Sequence, residues 1–235
     1  MIVMLFSGGI DSLAALYAIK KDWDKTVVLW VNSGDVFPET VKQMEAMREK
    51  FNFIEVNANQ PGDIKEFGYP ADVQSAWSSV IGKSFRGTQE VFQSPLECCA
   101  KNLWKPAHAV IKQLGATMVV TGQRSEDKNL SQVKSGEVLD GIEYFYPIEQ
   151  WSRYEVLDFL KLEGVALPEN YKTMDTSLDC MHCTAFINKS KVEYLKRNHV
   201  KAYEIVSKQI SLIIESAESE LRILREHYGI LHAAH

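Results

Sequence analysis

Apolar and polar positions alternate along this chain in two distinct patterns. Short apolar runs predict five strands, at residues 2–6, 26–31, 53–57, 117–121 and 143–147. Between them, apolar residues recur at helical spacing, which predicts helices at residues 12–21, 39–51, 103–114 and 153–163, the last capped by Ser152. Strands that alternate with crossover helices form a parallel sheet covered on both faces. The pattern therefore predicts an α/β fold with a doubly wound, mostly parallel five-stranded sheet.

Two long segments interrupt this alternation. Residues 59–97 are rich in glycine and proline, and a connection of this length is more often a functional lid than a plain linker. Lys83 and Arg86 within it are candidates for contact with an anionic substrate, with solvated surface charge as the alternative. Residues 127–141 form a second, polar excursion that we expect to be mobile.

From Lys191 onward the pattern is purely helical. Seven apolar residues form a stripe among charged neighbours: Ile205, Ile210, Ile213, Ile214, Ala217, Leu221 and Leu224. Such a stripe predicts a helix that packs on the body of the protein, with a homodimer interface as the alternative. We therefore divide the chain into a domain at residues 1–190 and a helical C-terminal extension at residues 191–235.

Length and composition are those of an ordinary enzyme domain. The chain has 235 residues, of which 46% are hydrophobic and 24% charged, so it can bury a full core without disulfides. Residues 1–6 are apolar but follow no basic segment, and no run approaches the roughly 20 apolar residues of a membrane span. These features predict a cytoplasmic protein with no membrane partner. The net charge of −5 counts against broad attraction to nucleic acid but leaves a local basic channel open.

The strongest chemical signal follows the first predicted strand. Residues 6–12 read Phe-Ser-Gly-Gly-Ile-Asp-Ser and open the first predicted helix. Glycines there let the backbone approach a polyanion, while free amides at the helix N-terminus and two serine hydroxyls can donate to its oxygens. Neither of the commoner nucleotide motifs, G-x-x-x-x-G-K-[ST] or G-x-G-x-x-G, is present. The segment predicts a phosphate-ester site, and a plain helix-capping turn is the alternative.

All four cysteines fall into two tight pairs, Cys98 with Cys99 and Cys180 with Cys183. Four thiolates suit either a tetrahedral zinc ion or an iron-sulfur cluster. Zinc modules usually use two Cys-x2-Cys knuckles. Adjacent cysteines at a turn or helix start can instead both reach a larger, cube-shaped iron-sulfur cluster, so the spacing favours a 4Fe-4S cluster. Four reduced thiols packed in a cytosolic core are the third reading.

At residues 7–12 the sequence resembles the S-G-G-x-D-S PP-loop of the adenine nucleotide alpha hydrolase, or ATP pyrophosphatase, superfamily. Further segments are similar, in chain order, to motifs of the phosphoadenosine and adenosine phosphosulfate reductases: residues 32–40 to T-G-x-x-F-P-E-T, 121–126 to G-x-R, 146–152 to P-L-x-D-W-[ST], and 167–170 to L-P-x-N. Cys98-Cys99 with Cys180-x-x-Cys183 matches the pattern by which cluster-bearing members hold a 4Fe-4S cluster. The likeness covers about residues 1–190.

The resemblance implies a Rossmann-like sheet of the adenine nucleotide alpha hydrolase type, with ATP or a sulfonucleotide (APS or PAPS) bound at the carboxyl ends of its strands. The residues that it implies as ligand contacts are Ser7, Gly8, Gly9, Asp11, Ser12, Asn32, Gly34, Gly122 and Arg124. Arg124 would clamp phosphate or sulfate, with a surface salt bridge as the alternative. Asp11 would hold Mg2+ on a pyrophosphate or simply favour the helix start. These two residues and Lys101, which follows the first cysteine pair, are the candidate catalytic residues.

Three departures from the family pattern bear on the reaction. Sulfonucleotide reductases of this family attack with a cysteine in a C-terminal E-C-G-[IL]-H segment, and residues 226–232 contain no thiol. The family usually follows its cysteine pair with x-x-R-K, whereas Lys101 stands at a different offset. Asp11 and Ser12 keep the fuller ATP pyrophosphatase form of the loop, which favours ATP as the ligand.

These features leave three functional hypotheses. The favoured one is cleavage of ATP between its α and β phosphates to adenylate an oxygen, after which a sulfur species displaces AMP. The second is reduction of a sulfonucleotide by a thiol or electron donor supplied from outside. The third is a non-enzymatic nucleotide-binding or redox-sensing module. The first two imply an external sulfur or electron donor, thioredoxin-like or a desulfurase, and nucleic acid stays open as an acceptor.

Overall fold

The structure is a computed structural model, and it describes residues 1–87, 90–127 and 131–229. Within these ranges the strands are β1 (Ile2–Leu5), β2 (Thr26–Asn32), β3 (Phe53–Asn57), β4 (Tyr69–Pro70), β5 (Phe92–Gln93), β6 (Met118–Val120), β7 (Val138–Leu139) and β8 (Ile142–Phe145). Three predicted features fall partly outside them: the Arg86 side chain, residues 128–130 of the polar excursion, and residues 230–232 of the tail.

The helices in the same ranges are α1 (Ile10–Ala18), α2 (Pro38–Arg48), α3 (Gln60–Phe67), α4 (Val80–Arg86), α5 (Pro95–Cys99), α6 (Lys105–Gln113), α7 (Arg153–Leu162), α8 (Lys189–Asn198) and α9 (Val200–Tyr228). Shorter 3-10 turns lie at Lys20–Lys25, Ala76–Ser78 and Glu169–Lys172, and a π-helical segment at Ala100–Trp104. The four helices predicted before residue 190 are α1, α2, α6 and α7, with shifted ends.

Contacts divide the chain into two compact units. The first consists of residues 1–58 and 101–181, and the second of residues 59–100 and the chain from His182 onward. Within the second unit, Ile213 of α9 packs with Ala71 and Phe92 from the segment at 59–100. The division into a nucleotide-binding domain at residues 1–190 and a helical extension stays a prediction.

A six-stranded sheet forms the centre of the first unit, in the order β3-β2-β1-β6-β8-β7. The first five of these strands run parallel, and β7 pairs antiparallel with β8 at the edge. All five predicted strands are present, so the predicted α/β fold class is confirmed. The sixth strand, β7, lies inside the polar excursion at 127–141 and was not predicted.

Side chains of the central strands alternate between two buried layers. Met4 and Val28 point into a core with α1, α2 and α7, while Val3, Leu29 and Val119 point into one with α6. Both faces of the sheet are therefore covered, which explains why its strands read as continuous apolar runs. The carboxyl ends of the parallel strands remain as the edge at which loops can form a ligand site.

The second unit is built from short elements and the two C-terminal helices. Strands β4 and β5 pair in parallel, and Tyr69 joins Ala71, Phe92 and Ile213 in a small core. Gly68, which precedes β4, has φ +89°, and a Cβ there would lie 1.9 Å from the Val91 carbonyl oxygen. Glycine is therefore required for this strand pairing. The segment predicted as a lid thus contains regular elements of a compact unit.

Among the described residues, no helix has both the length and the apolar character that a membrane crossing requires.

Candidate phosphate-binding site

The loop between β1 and α1 has the backbone that a phosphate site needs. Gly8 has φ +86°, and a Cβ on it would lie 2.8 Å from Oε1 of Gln43, so this position requires glycine. Gln43 in turn donates from Nε2 to the Gly8 carbonyl oxygen at 3.0 Å. Gly9 precedes the helix in an extended conformation and offers no side-chain cap. No N-cap side chain therefore accepts from the first amides of α1, and the Ile10 amide donates instead to the Tyr171 hydroxyl.

The two serine hydroxyls of the loop lie next to each other. Ser12 donates from Oγ to the Gly9 carbonyl oxygen at 2.8 Å, and the Oγ atoms of Ser7 and Ser12 are 3.3 Å apart. Ser7 also accepts from the Gly9 amide at 3.4 Å. Each hydroxyl can rotate to donate to an incoming oxygen without a change in the backbone.

Arg124 lies buried beside the loop and contacts three carboxylates. Its side chain is 8% exposed, with Nε 2.9 Å from Oδ1 of Asp11, Nη1 2.9 Å from Oε2 of Glu126 and Nη2 3.5 Å from Oδ1 of Asp127. Asp127 also accepts from the Arg124 amide at 2.8 Å. The structure thus brings these two candidate residues, Arg124 and Asp11, together. Their catalytic roles stay predictions.

Burial raises the pKa of Asp11 above its usual value of 3.8, although the neighbouring Arg124 charge acts in the opposite direction. The carboxylate of Asp127 adds to the rise, because two like charges lie close together. Ionised Asp11 is therefore less stable in the folded chain than in water. A cation that reached this carboxylate would relieve that cost.

Tyr171 reaches the loop from the 3-10 turn at Glu169–Lys172. Its hydroxyl accepts from the Ile10 amide at 3.2 Å, and burial raises its pKa to about 12. The hydroxyl therefore keeps its proton at neutral pH and can donate it to a ligand oxygen. Asn170 holds this segment in place by donating from Nδ2 to the Thr176 carbonyl oxygen at 3.1 Å. This contact gives a structural reason for asparagine in the L-P-x-N motif.

A capping box fixes Arg153 at the start of α7. The Ser152 amide donates to Oε2 of Glu155 at 2.7 Å, and the Glu155 amide donates to Oγ of Ser152 at 3.3 Å. The predicted cap at Ser152 is therefore confirmed. The Arg153 guanidinium lies 5.9 Å from the centre of the Tyr171 ring.

These groups surround a pocket of about 240 Å3. Its lining consists of Ser7, Gly9, Asp11, Ser12, Arg124, Asp127, Arg153, Tyr171, Asp175, Thr176 and Ser177. Pockets that enclose whole drug-sized ligands usually measure roughly 300–1,000 Å3, so this one has the size for phosphate groups rather than an entire nucleotide. Sequence analysis missed Asp127 and the lining residues from Arg153 onward. The only signal for them was the L-P-x-N motif directly before Tyr171.

Gly122 is predicted as a ligand contact, and the structure gives it a packing role. A Cβ there would lie 2.5 Å from the carbonyl carbon and oxygen of Asp11 and 2.7 Å from the Ser12 amide nitrogen. The loop after β6 can therefore approach the first turn of α1 only because this residue has no side chain. Its predicted ligand contact remains untested.

In the described part of the chain, the pocket lining does not include three further predicted site residues, Asn32, Gly34 and Lys101. Asn32 ends β2, where its Oδ1 accepts from the Gly34 amide at 2.9 Å and its Nδ2 donates to Oε1 of Glu55 at 2.9 Å. Gly34 has φ +83°, so the turn itself requires it. Lys101 lies half-buried in the π-helical segment. Roles for these three residues stay predictions.

None of the four cysteines forms a disulfide. Cys98 and Cys99 end α5, and Nε2 of Gln60 donates to Sγ of Cys98 at 3.7 Å. Sγ of Cys180 donates to Oγ of Ser33 at 3.3 Å. The donor set fits an iron-sulfur cluster in kind, because four thiols are present and none is oxidised. In the described ranges, however, no three His, Cys, Asp or Glu side chains come together as a metal site, so the ligand assignment stays a prediction.

Comparison with known proteins gives relatives of several activities. The chain is 26% identical over 149 residues to a 7-cyano-7-deazaguanine synthase of Pyrococcus furiosus, across 59% of this chain and 60% of that relative's length. Its fold is similar to phosphoadenylyl-sulfate (PAPS) reductase from Candida auris in a phosphate complex, with a TM-score of 0.51 and 17% identity over 77% of this chain and 81% of that one. A U34-tRNA thiolase from Methanococcus maripaludis, solved with its [4Fe-4S] cluster, has a TM-score of 0.47 and 15% identity, over 90% and 71% of the two chains.

The model of the phosphoadenosine phosphosulfate reductase domain matches residues 1–186. The match includes the PP-loop, the segment around Arg124 and all four cysteines. The chain therefore belongs to the phosphoadenosine phosphosulfate reductase domain family of the PP-loop superfamily.

Proposed function

We propose that this chain binds ATP by its phosphates in the pocket around residues 7–12 and cleaves it between the α and β phosphates to activate an oxygen atom for replacement by sulfur. The observation that carries the proposal is the mixture of charges in the pocket. Two arginines, Arg124 and Arg153, are accompanied by three carboxylates, Asp11, Asp127 and Asp175. The lining therefore carries a formal charge of −1 (2 − 3).

A lining with this charge is a poor site for an isolated phosphate or sulfate, because the carboxylates repel it. It suits a polyphosphate that brings its own cation. Mg2+ is commonly held by one or two carboxylates together with substrate phosphates, which Asp11 and Asp127 could provide. When bound, Mg2+ would neutralise charge on the departing pyrophosphate. The raised pKa of Asp11 supports this assignment, since a second cation beside Arg124 would offset the remaining cost of burying the carboxylate.

The remaining residues would bind and orient the phosphates. Amides at the start of α1 and the hydroxyls of Ser7, Ser12 and Tyr171 would donate to their oxygens. Arg124, anchored by its carboxylate neighbours, would hold Asp11 in position and face the developing charge. Prepositioned donors of this kind stabilise a transition state at little reorganisation cost.

The proposed chemistry has three steps. An acceptor oxygen attacks the α-phosphorus, a new P–O bond forms, and pyrophosphate leaves with the electron pair of the broken bond. The outer sulfur of a persulfide on an external desulfurase then attacks the activated carbon, and AMP leaves with the C–O electron pair. A thioredoxin-like dithiol reduces the S–S bond that still joins donor and product, and is itself oxidised to a disulfide. The acceptor, a small molecule or a nucleic acid, is left open.

We also propose that Cys98, Cys99, Cys180 and Cys183 hold a 4Fe-4S cluster. Support comes from the reduced state of all four thiols and from their spacing. Such a cluster would supply redox or sulfur-carrying chemistry. Because the four thiols would then be occupied, none would be left to attack a nucleotide.

The second candidate is reduction of a sulfonucleotide by an outside thiol, and the family match favours it. One assay on anaerobically purified protein separates the two functions. The protein is incubated with MgATP, APS or PAPS, and pyrophosphate, AMP and sulfite are measured. Pyrophosphate and AMP from ATP support the proposal. Sulfite from a sulfonucleotide with a dithiol contradicts it, and tight nucleotide binding without any product identifies a binding or sensing module.

An Asp11→Asn variant tests whether ATP cleavage in this assay depends on the phosphate pocket. We expect at least a ~100-fold loss of MgATP cleavage, because the variant removes a charge that acts on the reacting phosphates. Asp158→Asn, on the exposed side of α7, is the matched control and is expected to retain full activity.

A further inference from the structure

Helix α9 carries an apolar seam, a second row of apolar residues beside the buried face of the helix, and the C-terminal part of this seam occupies its last three turns. The buried residues of this helix are Ala202, Val206, Gln209 and Ile213. A second apolar row follows the spacing 4-3-4-3-4: Ile210, Ile214, Ala217, Leu221, Leu224 and Tyr228. At 100° per residue, this row lies about 70° around the helix from the buried one. Spacing of this kind is the heptad pattern of helices that pair with one another.

The C-terminal part of the seam is exposed. Leu221 is 44%, Leu224 54% and Tyr228 77% exposed, and every residue from 221 to 229 is exposed. Over the part of the chain that the structure describes, nothing covers residues 221–229, a stretch of about 13 Å. A contiguous apolar row on a protruding helix is typical of an interaction surface.

We propose that residues 217–228 pair in antiparallel orientation with the same segment of a second copy of this chain. The sequence of the seam complements itself in this orientation. Leu221 of each copy meets Leu224 of the other, and the small Ala217 meets the large Tyr228. Four layers result: two Leu–Leu layers at the centre, and one layer at each end in which a small side chain faces a large one.

Charges beside the seam favour the same arrangement. Glu218 and Arg225 flank the seam on one side, one turn before Leu221 and directly after Leu224. In the antiparallel register given above, Glu218 of each copy lies beside Arg225 of the other, so two ion pairs form across the interface. In a parallel pair, Glu218 would instead face the position of Ile213, which is buried in its own unit.

Packing of the first half of α9 is also incompatible with a parallel pair. Such a pair would bring Ile210 of both copies together, yet Ile210 already packs against the core formed by Ala71, Phe92 and Ile213. An antiparallel pair centred between Arg222 and Ile223 uses only the exposed part of the seam. Self-pairing about a twofold axis is the commonest form of protein association.

Sedimentation equilibrium of the full chain over about 1–200 µM tests the proposal, because a short four-layer contact gives modest affinity. We expect a concentration-dependent mass that approaches twice that of one chain. Leu221→Ser with Leu224→Ser should weaken dimerisation at least ~100-fold. Ile223→Ser is the matched control: it changes an exposed apolar residue of the same turn that lies off the seam, and dimerisation should not change.

A charge exchange tests the orientation. Glu218→Arg and Arg225→Glu should each weaken dimerisation about 10-fold, because each places like charges opposite one another, and the double variant should return to within about 3-fold of the original chain. Circular dichroism verifies that each variant keeps its helices. A monomer at all concentrations, a dimer insensitive to Leu221 and Leu224, or a double variant without recovery would each overturn the proposal.

Discussion

In the phosphate pocket, Arg124 contacts Asp11 at 2.9 Å and both line one pocket with Ser7, whereas the cysteine pairs are not gathered into a metal site in the described residues. The difference lies in what holds each group. Glycines, a buried guanidinium and a tyrosine hydroxyl fix the pocket through contacts within the chain. Thiolate ligands of a metal site are held together largely by the metal itself. The pocket is thus fixed by contacts within the chain, while a cluster site would depend on its cofactor.

The largest expected effect is a loss of iron that leaves nucleotide binding in the phosphate pocket unchanged. Replacing Cys98 and Cys99 by serine should abolish iron and acid-labile sulfide in anaerobically prepared protein, because oxygen does not replace thiolate in such clusters. Nucleotide affinity should stay within about 3-fold, since the pocket needs no cysteine. Iron analysis and calorimetric titration with an ATP analogue measure the two properties. Unchanged iron content would contradict the proposed ligands.

Gly122→Ala should damage the preformed pocket. The added methyl group would lie 2.5 Å from backbone atoms of Asp11, and such overpacking costs about 1–3 kcal/mol of unfolding free energy. Nucleotide affinity should fall at least ~10-fold, because the start of α1 must shift.

Urea unfolding and nucleotide titration measure these effects. Gly115→Ala is a control for affinity, since its surroundings are open, although its φ of +62° costs some stability. Equal affinities for the Gly122→Ala variant and the original chain would show that the close approach is not needed for binding.

Tyr171→Phe should have an intermediate effect. The variant leaves the Ile10 amide without its acceptor and removes one donor to the ligand, which corresponds to about 1 kcal/mol or a 5-fold loss of nucleotide affinity. Because the pKa of Tyr171 is about 12, the contribution of its hydroxyl should be the same from pH 6 to about pH 10. Titrations at both ends of this range test it, and a contribution that disappears near neutral pH would contradict the buried position.

The smallest expected effect concerns stability and pH. The raised pKa of Asp11 means that its neutral form stabilises the fold below the usual value of 3.8, and that this contribution is lost as pH rises through the folded-state pKa. Asp11→Asn should therefore raise the melting temperature relative to the original chain, with a difference that grows with pH above 3.8 and then levels off. Thermal unfolding at a series of pH values measures it, and a difference that shrinks as pH rises would contradict the assignment.

Sequence patterns could predict the parts of the molecule that depend on neighbouring residues. The five strands, the turn at Gly8 and the cap at Ser152 follow from local preferences, and all are present. Strand β7 escaped prediction because its two residues are exposed and show no periodicity.

Local sequence patterns could not predict contacts between residues that are distant in the chain. Tyr171 reaches Ile10 across 161 residues, and nothing around position 171 in the sequence specifies that contact. The resemblance predicted a ligand contact for Gly122, but its close approach to Asp11 became visible only in three dimensions. The interpretation of residues 59–97 as a lid did not anticipate the short helices and strands that pack there.

The capping box at Ser152 also has a consequence for how the protein folds. Its two hydrogen bonds join residues three apart in the chain, so forming them closes almost no loop and sacrifices little chain entropy. Local contacts of this kind form on the fast end of the folding time scale. The start of α7, which carries Arg153, can thus form early in folding, before the long-range contacts of the pocket form.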